Sequence, residues 1–183
     1  MDKIAKKTLK KRLTIPCIVA LIGVLAIAVG LFLPYICAVG EMAEYIAQYP
    51  DSLEIAELDM TASDLKEMSM VSVSKIASFT YSESEGALFN GITVAFCVLL
   101  AVCLLFVILK KPIPVMIFSV LTYGAFAFHN FATKMDFFRG GNYAWGIGYY
   151  MITVASGVVF ACSVWMLVKK IKAKKELADQ PEE

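Results

Sequence analysis

"LFNGITVAFCVLLAVCLLFVIL", residues 88–109, is a run of 22 residues without one Asp, Glu, Lys, Arg or His. At ~1.5 Å per residue, a helix of that length covers the ~30 Å hydrocarbon core of a bilayer. A helix also pairs its own backbone groups, which hydrocarbon demands. Strands of a membrane barrel are ~10 residues long and alternate in polarity, so this stretch excludes a β-barrel.

Three further blocks are apolar and free of Asp, Glu, Lys and Arg: residues 15–39, 113–133 and 143–168. Together they predict an all-α membrane protein, a four-transmembrane-helix bundle. The whole chain has 183 residues, is 59% hydrophobic and only 18% charged, and has a mean hydropathy of +0.70. A soluble domain carries about a quarter charged residues. The spans leave a basic segment at 1–14, an acidic loop at 40–87, a turn at 110–112, a short loop at 134–142 and a charged tail at 169–183. The apolar core of the first block is about 25 residues, against ~7–15 in a secretory signal, so the sequence predicts a retained span.

The net charge of +1 hides a segregation. Thirteen of the 17 basic residues fall in the two terminal segments and the 110–112 turn. Positive charge stays on the cytoplasmic side, which predicts cytoplasmic N- and C-termini in a plasma membrane. Residues 41–87 then face outward with ten Asp/Glu against two Lys. In this extracytoplasmic loop, Thr61 and Asp64 have capping-box spacing for a short helix. "MSMVSVSKIASF", residues 68–79, mixes strand-like alternation with a helical face, and an amphipathic helix is the preferred reading. Five cysteines lie in or near spans, and none falls in residues 41–87. With no Asn-x-Ser/Thr acceptor outside, this favours a bacterial membrane.

Small residues mark helix-packing faces, because they let backbones approach closely in lipid. In the first span these are Ala20, Gly23 and Gly30; in the fourth, Gly146, Thr153, Gly157 and Ala161. Asn90 begins a weaker face in the second. Trp145 and Trp165 are expected as interface anchors, since their 20-residue separation on a helix matches the ~30 Å core.

No acidic or basic residue lies inside a span, and the chain's single histidine, His129, is the only titratable imidazole. The sequence has no metal-ligand cluster, no phosphate-cradling Gly-rich loop and no nucleophile elbow. No metal or other cofactor is implied, and nothing beyond topogenic lysines suggests nucleic acid. Read as lying three residues from the end of the third span, His129 is expected at the interface, ~4.5 Å from water. With Asn130, Asn90, Thr122, Tyr149 and Tyr150 it could line an outward pocket, although a packing histidine is the stronger reading. A long first outer loop and a short second one resemble tetraspan proteins such as claudins, whose outer-loop Trp and paired Cys residues 41–87 lack. "GLFLPY" (30–35) and "GIGYY" (146–150) are similar to small four-span proteins of Gram-positive bacteria, which imply no activity. The leading expectation is a non-enzymatic accessory protein working through the bilayer, a membrane-protein partner or a homo-oligomer. The alternative is a carrier or binder of a small neutral or lipophilic molecule at the His129 cluster.

Overall fold

The computed structural model describes residues 13–50, 54–55, 58, 60–80 and 82–178. The basic N-terminal segment, apart from Leu13 and Thr14, and the last five residues of the tail fall outside them. The elements in order are α1 (Thr14–Gly30), β1 (Pro34–Ala38), α2 (Gly40–Gln48), β2 (Glu54–Ile55), β3 (Met60–Thr61), a 3-10 turn (Ala62–Leu65) and β4 (Glu67–Ser69). α3 (Met70–Thr80), α4 (Glu83–Ile108), α5 (Pro112–Phe137), β5 (Tyr143–Trp145) and α6 (Ile147–Ala178) complete the fold.

Three helices are long and apolar enough to cross a membrane, over Gly86–Ile108, Pro112–Phe137 and Ile147–Glu176. The protein is therefore a mostly helical membrane protein. α1 differs from expectation. The first apolar block does not form one helix to Val39: α1 stops at Gly30 after 17 residues, and the chain turns into β1. Apolarity alone could not reveal this, because a buried strand and a buried helix are equally apolar.

The four long helices close a ring, α1 packing on α6, α6 on α5, α5 on α4 and α4 on α1. Glycine controls the tightest seam. A Cβ on Gly23 would lie 2.7 Å from Val159 Cγ2, and one on Gly30 would lie 2.7 Å from Ile152 Cγ1. Ala20, Gly23 and Gly30 thus face α6. On α6 the facing residues are Ile152, Ala155, Ser156, Val159, Cys162 and Met166, whereas Gly157 and Ala161 are exposed. Gly146, buried just before α6 where a Cβ would meet the Pro34 backbone, packs closely as expected, whereas the rest of the expected face is turned by about one position, ~100°. Asn90 likewise points away from the core, while Phe89, Thr93, Phe96 and Leu100 of α4 are buried.

One end of the ring carries a three-stranded antiparallel sheet, ordered β4-β1-β5. Ile36 of the central strand pairs with Met68 on one side and Trp145 on the other. Trp145 is therefore a sheet residue and not the first turn of the last helix. The backbone carbonyl of Asn142 accepts a hydrogen bond from the Val39 amide at 2.8 Å, prolonging the sheet. The reversal before β5 needs a left-handed residue, supplied by Gly141 with φ +69°. Trp165 lies in the second half of α6, 13 residues before its end, with Lys169 Nζ 4.7 Å above its ring. The Thr61/Asp64 capping box is present, closing the 3-10 turn. "VSVSKIASF" is helical within α3, whose buried face is Met70, Val73, Ser74, Ile76 and Ala77. Sheet, α2, α3 and the 3-10 turn form a cap over the bundle.

Candidate functional site

The buried face of α5 reads Val115, Ser119, Thr122, Phe126, His129 and Thr133, a 4-3-4-3-4 spacing that keeps one stripe toward the core. α5 continues to Phe137, so His129 sits about two turns, ~12 Å, inside the helix end. It is a packing residue of the interior, as the stronger reading expected, its side chain 0% exposed.

Four elements meet there. Tyr35 Oη from β1 lies 3.2 Å from His129 Nδ1, and Ser74 Oγ from α3 lies 3.1 Å from Nε2. Thr93 Oγ1 from α4 is 2.6 Å from Ser74 Oγ, and Thr133 Oγ1 is 3.2 Å from Nδ1. Tyr35 donates its hydroxyl proton to Asn130 Oδ1.

Donor bookkeeping orders the group. Tyr35 gives its one proton to Asn130. Ser74 also has one proton, which lies within reach of Met70 O at 3.1 Å as well as of Nε2, and its oxygen faces Thr93. Nδ1 is met by Tyr35 and Thr133 and Nε2 by Ser74, so a neutral imidazole finds a partner at both nitrogens in either tautomer. Hydrogen bonds linked in this way in a low-dielectric interior polarise and strengthen one another.

Aromatic rings seal the chain. Tyr35 meets Trp145 edge-on at 5.4 Å, and Trp145 stacks on Tyr149 at 4.3 Å. Phe89 stands edge-on to the imidazole at 5.6 Å.

Of the residues expected to share an outward pocket, His129 and Asn130 are together, and Tyr149 is adjacent through its packing on Tyr35 and Trp145. Thr122 is two turns deeper on α5, its hydroxyl bonded to Phe118 O at 2.7 Å. Asn90 and Tyr150 are exposed elsewhere. Tyr35, Ser74 and Thr93 were not legible as partners: they lie 94, 55 and 36 residues from His129, on three other elements. Among the described residues there is no cluster of three metal-ligating side chains.

Tyr35→Phe would remove the link between β1 and α5, leaving Asn130 Oδ1 without the Tyr35 donor and Nδ1 with Thr133 alone. Hydrogen bonds inside membrane bundles average under ~1 kcal/mol, and an orphaned buried group costs ~1–3 kcal/mol. A loss of about 1–2 kcal/mol is expected in equilibrium unfolding in mixed micelles, with the spans retained.

Comparison of the chain with protein-family models, with curated proteins and with solved structures finds no match.

Proposed function

We propose that the protein is a non-enzymatic accessory subunit of a membrane complex, and that its working part is the cap displayed by the bundle. One observation carries this reading: the polar groups around His129 are spent on each other, bolting β1 and α3 to α4 and α5. His129 then acts as a fastener, with both ring nitrogens engaged by the chain itself.

The bundle is read as a four-span one in a bacterial plasma membrane, with cytoplasmic termini and an extracytoplasmic cap. Supporting the fourth span, α1 turns Ile15, Ile18, Ile22, Leu25 and Val29 outward, as lipid contact requires. Its 17 residues give ~26 Å. The following turn and β1, whose backbone is paired within the sheet, extend the path toward the ~30 Å core. The acidic 41–87 segment favours a partner with a basic outer surface.

The test is crosslinking in native membranes, then mild extraction of the tagged chain and mass spectrometry of what is retained. A stoichiometric membrane-protein partner, lost when Glu41 and Glu44 of the cap are changed to Lys, is the expected result. A chain recovered alone, or only as copies of itself, would refute the accessory role.

A further inference from the structure

A second polar feature lies away from the His129 cluster, on the open side of the α5–α6 seam. A groove of about 330 Å³ runs there between Ser119 and Tyr123 of α5 and Thr153, Ser156, Gly157 and Phe160 of α6. That is within the ~300–1,000 Å³ of small-molecule sites. Tyr123 and Phe160, 45% and 42% exposed, flank its outer side. At Gly157 an added Cβ would meet nothing within 4 Å, so the space is open beside that backbone. Inward, a void of about 10 Å³ shares Ser119 and Ser156 with the groove and adds Thr122.

The hydroxyls of this floor are unequal. Ser119 donates to Met116 O at 2.9 Å, Thr122 to Phe118 O at 2.7 Å and Thr153 to Tyr149 O at 2.8 Å. Ser156 does not. Only 6% exposed, it carries the single buried side-chain polar atom without a hydrogen-bond partner among the described residues. An unmet hydroxyl in an apolar interior costs ~1–3 kcal/mol, a cost that a bound partner relieves. No charged residue lines the groove.

We propose that this groove binds a single-chain, uncharged amphiphile bearing a hydroxyl, entering sideways from the bilayer. The floor offers one free donor, Ser156 O–H, and the unused lone pairs of Ser119 and Thr122. A ligand hydroxyl answers both, accepting from Ser156 and donating to a neighbour; an ester carbonyl can only accept. The floor also lies inside the spans, seven residues from the start of α5 and nine from the start of α6. Phospholipid headgroups stay at the interface, whereas a lone hydroxyl buried at that depth needs a partner.

The test uses the full chain in phosphatidylcholine nanodiscs with hexadecanol carrying a chain diazirine, and the matching hexadecane diazirine as its control. After irradiation, adducts are mapped by peptide mass spectrometry. Hexadecanol is expected to label residues 119–123 and 153–160 selectively, and hexadecane to label all lipid-facing helices alike. Gly157→Leu, whose side chain enters open space, should abolish the selective adducts. Ser156→Ala should lower them by about five- to tenfold, the loss of one hydrogen bond. Thermal melting no lower than the parent's in either variant shows that the bundle is intact, and Ser156→Ala, which removes the unmet hydroxyl, should melt slightly higher. Equal patterns for the two probes, meaning annular contact or a floor holding water only, would overturn the proposal, as would selective labelling insensitive to either substitution.

Discussion

His129→Ala is expected to lower unfolding stability by about 3 kcal/mol, more than any other polar substitution in the cap. Two costs combine. The imidazole is fully buried between Tyr35 and Phe89, so its removal leaves a void that rigid neighbours fill poorly. It also removes the ring that joins Ser74 on one side to Tyr35 and Thr133 on the other. His129→Gln retains a donor and an acceptor and should lose less. Hydrogen exchange should localise the damage, with amides of β1 and α3 opening while those of α4 and α5 stay protected. An equal loss in both variants would contradict this account, since neither the retained volume nor the retained donor and acceptor would then help.

The other large effect is expected at Gly148, where α6 starts against the end of α1. A Cβ there would lie 2.8 Å from both Gly30 O and Leu33 O and 3.0 Å from Pro34 O. All three neighbours are backbone and cannot swing aside like a side chain. Gly148→Ala should therefore push α6 from α1 and strain the β1 turn, at about 3 kcal/mol, the upper end of overpacking costs. Gly91→Ala supplies the contrast, since nothing lies within 4 Å of a Cβ at that helical position. There the same substitution should stabilise by about 0.5–1 kcal/mol through helix propensity. The two variants differ in sign, which melting in mixed micelles resolves directly. A neutral Gly148→Ala would contradict the close approach of α1 and α6.

The three long spans were readable because each is a continuous apolar run longer than a soluble core element needs. The small residues of α1 were readable for a related reason: Ala20, Gly23 and Gly30 repeat at helical spacing within one element. What stayed hidden depends on pairing across distance. β1 is continuous in apolarity with α1, while β4 and β5 have three residues each, too few to show a period. Their register with Ile36 joins positions 68 and 145, which no local pattern connects. The site divides in the same way. A helical wheel correctly places Thr122, His129 and Thr133 on one stripe of α5, but it carries no depth information, and Thr122 proves to lie ~10 Å away along the axis. Ser74 sits in a serine-rich stretch where any of four hydroxyls could have met the imidazole. Only the fold of the cap selects it.

Because the chain has a single histidine, nitrogen-15 labelling of histidine gives one pair of ring signals, free of overlap. NMR of the protein in bicelles would report tautomer and hydrogen bonding at both nitrogens. The account predicts a single neutral tautomer, hydrogen-bonded at both nitrogens and shielded from exchange with water, with Ser74→Ala shifting the Nε2 signal. Rapidly exchanging, averaged signals indifferent to Ser74→Ala would contradict it, placing an accessible imidazole where a sealed fastener is described.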